Sequence, residues 1–157
     1  MTSSRRFFLL IIVSNFLIVG CEAKEPAPVK GKPMSNSESM VFDIRVFGYV
    51  GRPIFDIFIN NKDTGSVGGG GQIIGFSMRL GPQIVTWRLD GPKGTARNGE
   101  TVNAKNVPIL APPPPGARYL GIHIYPDETV EFIYSEFLPE RTERGDILLT
   151  QQKQVKQ

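Results

Sequence analysis

Val41-Phe42-Asp43-Ile44-Arg45-Val46-Phe47-Gly48-Tyr49 is the stretch that decides the fold. Phe42, Ile44 and Val46 fall on one face of an extended chain, and Asp43 and Arg45 fall on the other. That period of two marks a strand with one face in a core. The pattern repeats downstream. Residues 54–59 set Phe55, Ile57 and Ile59 against Asp56 and Phe58, and residues 83–89 set Val85, Trp87 and Leu89 against Thr86 and Arg88. A strand over residues 72–80 stops at Gly81-Pro82.

Turn chemistry separates these runs. Asn60-Asn61-Lys62-Asp63-Thr64-Gly65 is rich in residues that tolerate positive φ. Residues 90–106 read as a long polar loop with a short strand near 100–104, and residues 107–110 as another short strand. Pro112-Pro113-Pro114-Pro115 is a polyproline connector. Residues 119–125 and 129–137 form a hairpin across Pro126-Asp127-Glu128. The tail after Pro139 is compatible with a short helix or a final strand. No segment keeps a helical period. The expected fold is all-β: an antiparallel β-sandwich or partly open barrel of about 6–8 short strands.

Upstream of the strands the chain changes character. Arg5 and Arg6 precede an apolar run, residues 7–20, that contains Ser14 and Asn15. The run is short of the ~20 apolar residues that span a bilayer. A basic start, a short apolar segment and a small residue before the cut make a secretory signal peptide. Ile18-Val19-Gly20-Cys21 looks like a lipobox, so Cys21, the only cysteine, is the expected lipid attachment site. The expected organisation is a cleaved lipoprotein signal peptide over residues 1–20 and an acylated cysteine with a flexible tether over 21–39. A single β-rich domain follows over 40–157. The tether is rich in Pro, Ser, Lys and Glu, a composition that buries too little apolar surface to order itself. Glu22, rather than Asp, follows the cysteine and favours the outer over the inner membrane of a Gram-negative envelope, facing the periplasm.

Charge and cysteine content exclude several classes. Taking Arg5 and Arg6 from the 18 basic residues leaves 16 against 15 acidic ones. The whole-chain pI near 9.1 therefore overstates the basic character. With no basic run, nucleic acid is not an expected partner. With its thiol acylated, the chain holds neither a disulfide nor a thiolate metal site.

Candidate chemistry is sparse. Gly75-Phe76-Ser77-Met78-Arg79 misses the nucleophile-elbow pattern at its last glycine and lacks the strand-to-helix context. His123, the only histidine, shares a strand face with Tyr119, Gly121 and Tyr125, and no recognised motif supplies it with a nucleophile. Gly68-Gly69-Gly70-Gly71 lacks the Lys-Ser/Thr of a phosphate loop and reads as a hairpin loop or bulge that lets a partner's backbone approach. Asp127 and Glu128 fall short of a calcium ligand set. No cofactor, metal or catalytic role is expected.

The sequence of features also resembles a known group. A lipobox is followed by strands ending near Gly48-Tyr49, the glycines Gly68 to Gly71, Leu80-Gly81-Pro82 and Val85-Thr86-Trp87. After a long loop comes Leu120-Gly121-Ile122-His123-Ile124-Tyr125-Pro126-Asp127, leading to Val130. This resembles an uncharacterised family of small bacterial lipoproteins found beside phospholipase effectors of the type VI secretion system, where they are regarded as immunity proteins. The chain lacks the cysteine pair many members carry near the glycines. The resemblance implies a non-enzymatic lipoprotein, bound to the bilayer through Cys21, that neutralises a secreted phospholipase-type effector by steric blocking. The other class is a structural or assembly lipoprotein binding another envelope component. Recognition is expected in the loops at 60–72, 90–106 and 111–118, because loops on a rigid scaffold carry binding. Gly68, Gly69, Gly70, Gly71, Arg118, Tyr119, Tyr125 and Tyr134 are the candidate partner-binding residues; Tyr and Arg are enriched at interface hot spots.

Overall fold

The computed structural model describes residues 38–65 and 69–155; the expected signal peptide, Cys21, the expected tether as far as residue 37, and Gly68 lie outside them, and Ser39, assigned to the tether, begins the first strand. Ten strands and one helix are described: β1 (Ser39–Gly48), β2 (Ile54–Ile59), β3 (Lys62–Asp63), β4 (Gly69–Arg79), β5 (Gly81–Pro82), β6 (Val85–Leu89), β7 (Thr101–Asn103), β8 (Ile109–Leu110), β9 (Tyr119–Ile124), β10 (Val130–Ser135) and α1 (Glu143–Val155). One four-stranded sheet runs β10-β9-β1-β4 and a second runs β3-β2-β6-β7, with β5-β8 as a short separate ladder.

The alternation in β1 explains the layering. Phe42, Ile44 and Val46 enter one apolar cluster with Leu120, Ile122 and Ile124 of β9. The second sheet closes the same cluster with Ile57, Ile59, Val85 and Trp87. The result is a β-sandwich, not a closed barrel. One pair departs from the antiparallel pattern: β1 and β9 are parallel, from Asp43↔Tyr119 to Gly48↔Ile124. A parallel pair needs a long crossover. Here the crossover contains the whole second sheet together with β4, β5 and β8.

Three irregularities decide which side chains face where. Asp56 sits at φ 46°, and the β2–β6 register breaks between Phe55 and Phe58. Phe55 is therefore not in the core, contrary to its alternation; it lies half-buried with the Arg88 guanidinium 5.0 Å from its ring. In β4 the register against β1 breaks twice, each time with the extra residue on β4. Gly75 (φ 70°) and Gly70 (φ 91°) lie at these bulges. Gly69, Gly70 and Gly71 thus belong to the bulged start of a strand.

The tail forms the helix. Thr142 caps it: its Oγ1 accepts the Gly145 N–H at 3.0 Å and its carbonyl accepts the Asp146 N–H at 3.0 Å. Glu143 and Asp146 in the first turn and Lys153 in the last match the helix dipole. Leu148 and Leu149 pack on Phe47, Tyr49 and Tyr125, a small second core. It uses β1 side chains from the face opposite Phe42, Ile44 and Val46.

These elements give the sandwich two poles. The chain comes into β1 at Ser39, where the Leu80 N–H bonds the Glu38 carbonyl at 3.0 Å. Ten residues later β1 ends at Gly48, beside α1. At about 3.3 Å per residue the two ends lie about 30 Å apart.

Candidate functional site

The outer face of β1 and β9 at the helix pole carries a continuous stack of rings. Parallel pairing sets Phe47 beside His123. Their rings stack at 4.9 Å with 6° between planes. His123 stacks in turn with Tyr49 at 5.9 Å, and Tyr49 with Tyr125 at 5.2 Å. An arginine covers each end: Arg45 lies 5.1 Å from the Phe47 centroid and Arg144 lies 3.8 Å from that of Tyr125.

Hydrogen bonds fasten this stack to the helix. The Thr142 N–H donates to the Tyr49 oxygen at 3.2 Å. Tyr49 Oη in turn lies 2.9 Å from His123 Nδ1. Burial holds the His123 pKa down to about 4 against a small opposing pull from Glu131. The ring is thus neutral at physiological pH, and its tautomer decides whether Nδ1 or the Tyr49 hydroxyl donates in this bond. Tyr125 donates to Glu131 at 2.8 Å and meets Thr142 Oγ1 at 3.0 Å; burial is the largest cause pushing its pKa up to about 12. Gln152 Nε2 donates to the Tyr49 carbonyl at 2.6 Å. Two glycines make room. A Cβ on Gly121 would lie 2.7 Å from His123 Nε2 and 3.3 Å from Pro139 Cβ, and one on Gly145 would fall inside the Tyr49 ring.

Beside the stack opens a cleft of about 520 Å³ between β1, the Gly70 bulge and α1. Phe47 and Leu149 supply apolar lining, and Arg45, Glu140, Arg141 and Asp146 supply charge. Arg45 is committed, donating to the Gly70 and Pro139 carbonyls at 3.0 Å each. Glu140, Arg141 and Asp146 form no ion pair with another described residue. An apolar floor rimmed by unpaired charges of both signs suits a protein surface better than a single ion.

The expected binding residues divide between the poles. Gly70 lines this cleft, with Gly69 and Gly71 flanking it in β4, and Tyr125 belongs to the stack. Tyr134 is an anchor of the core: its ring meets Phe42 at 5.7 Å and its hydroxyl donates to the Ala111 carbonyl. Arg118 and Tyr119 lie at the opposite pole, where Tyr119 pairs with Asp43 and Ser135. The loop at 90–106 is pinned by Arg52, which donates to the Asp90 and Ala96 carbonyls at 2.7 Å each. Arg97 ties the same loop to Glu100 at 2.9 Å and to Glu128 at 3.4 Å. Sequence reasoning missed Arg45, Phe47, Glu140, Arg141 and Asp146 as lining. Only the first two carried a sign, as alternate residues on the outer face of β1.

No protein-family model, curated protein or solved structure matches this chain.

Proposed function

We propose that the chain is a lipid-anchored, periplasm-facing binding protein that neutralises a secreted phospholipase-type effector by steric blocking, with the effector seated at the helix pole. The observation that carries this reading is the cleft beside α1, where Glu140, Arg141 and Asp146, without an ion pair to any described residue, surround Phe47 and Leu149. Such a rim and floor have the make-up of a protein interface. The lone histidine supports a binding role, because its Nδ1 and both ring faces are engaged within the molecule. The lipobox at Cys21 and the resemblance to immunity lipoproteins supply the effector and the address. Anchoring on the outer membrane raises the local concentration of the inhibitor where a phospholipase must act.

The test mixes the mature chain with the phospholipase-type product of the open reading frame beside its gene. A co-eluting complex and suppressed phospholipid hydrolysis are expected. Full hydrolysis with no co-elution overturns the reading.

A further inference from the structure

The pole opposite the helix holds a second surface that partner binding at α1 does not use. The chain enters the sandwich there at Ser39, and β5, β8 and the 111–118 loop converge on the same end. Ile109 pairs with Pro82 across the β5–β8 ladder, and Tyr134 reaches the Ala111 carbonyl. Residues 107–117, Val-Pro-Ile-Leu-Ala-Pro-Pro-Pro-Pro-Gly-Ala, form an uncharged run of 11 residues. Leu110 is fully buried and roots the run in the core.

Exposed apolar side chains lie on this loop and on the element ends at the same pole. Ile109 and Ile84 are each 61% exposed, Val41 67% and Phe137 76%. Phe137 is held at the pole by its N–H bond to Ser135 Oγ at 3.2 Å. Scattered apolar residues are ordinary on a protein surface, but several at one pole with a charge-free loop mark a contact face. The exposed charges nearby are mixed, Arg79 and Arg118 against Glu38 and Glu136.

We infer that this pole rests on the phospholipid surface, with Ile109 and Phe137 in the headgroup layer. The inference rests on the acylation of Cys21, which brings a bilayer to this end of the domain. Only 16 residues separate Cys21 from Glu38. Apolar side chains on an uncharged loop with few, balanced charges suit a largely zwitterionic interface. A rigid polyproline segment loses little entropy on docking. The geometry also orients the molecule: with this pole on the membrane, α1 and its cleft face the periplasm about 30 Å away along β1.

The test uses the anchored chain in vesicles of phosphatidylethanolamine and phosphatidylglycerol. Ile109→Cys, Phe137→Cys and, as a control beyond the far pole, Val155→Cys are each labelled with an environment-sensitive maleimide dye. Blue-shifted emission, quenched by brominated acyl chains, is expected at 109 and 137 but not at 155. A water-like probe at 109 and 137 in anchored protein overturns the docking and leaves the anchor standing; a blue shift there that brominated acyl chains do not quench also overturns it, and is the outcome if a protein or a second copy covers this pole. Maleimide labelling of the unsubstituted chain at Cys21 overturns the acylation, and the docking with it.

Discussion

Tyr49, just past the end of β1, and His123 of β9 share a 2.9 Å hydrogen bond beneath the start of α1. The bond makes the phenol a relay. It accepts the helix-capping residue's N–H on one side and is hydrogen-bonded to the imidazole on the other. Tyr49→Phe keeps the stacked ring and removes both bonds. Leaving buried donors and acceptors unmet costs about 1–3 kcal/mol. Amide hydrogen exchange in the first turns of α1 is expected to accelerate, with the sandwich strands changed less. Equal acceleration throughout would mean the helix is not held through this bond.

His123 gives the fold a defined acid response. Its folded pKa, about 4, lies below its ordinary value of 6.5, so the unfolded chain binds the proton first as pH falls. Stability is therefore full above the unfolded value and declines as pH drops from about 6.5 toward 4, by up to about 3 kcal/mol. Denaturant melts at stepped pH should show this slope, and His123→Gln should flatten it between about pH 6.5 and 5, before carboxylates titrate. An unchanged slope in the variant would assign the response to other groups.

Gly145→Ala tests how closely the helix approaches. Helix propensity alone predicts a gain of about 1 kcal/mol. The added methyl would instead enter the Tyr49 ring, which is held by stacking on both sides. Net destabilisation is expected, with loss of helical circular dichroism at lower denaturant than the unsubstituted protein. Stabilisation would contradict the packing of α1 on Tyr49.

Gly70 sits at φ 91°, where a side chain is strained. Gly70→Ala should cost about 1–2 kcal/mol from backbone strain. It would also disturb the carbonyl that holds Arg45. Effector inhibition is expected to weaken more than the stability loss alone explains. Inhibition that tracks only the folded fraction would remove the bulge from the binding surface.

The division between what the sequence showed and what it hid has physical causes. Alternation reports which face a residue takes, so β1, β6 and the β9–β10 hairpin were legible, with Trp87 and Ile44 placed in the core. It does not report the neighbouring strand, so the parallel β1–β9 pair and the Phe47–His123 stack it creates were not. Phe55 was misplaced because one residue, Asp56, adopts positive φ and resets the parity. The helix gave a weak signal because its buried contacts are Leu148, Leu149 and a glycine rather than a sustained apolar stripe. Gly70, named from residue type, lines the cleft, while Tyr125 is buried in the ring stack; the charges of the cleft came from a tail whose fold the pattern left open.

The proposed blocking of a membrane-attacking enzyme at the helix-pole cleft can be read out in cells. Its most direct measurement is survival of cells that carry the phospholipase-type effector in the periplasm. The unsubstituted chain should protect them. Arg141→Glu combined with Glu140→Arg should protect at least tenfold less, the equivalent of about 1.4 kcal/mol in binding, while melting at the same denaturant concentration. Death with the unsubstituted chain present, or full protection by the doubly substituted one, would contradict the account.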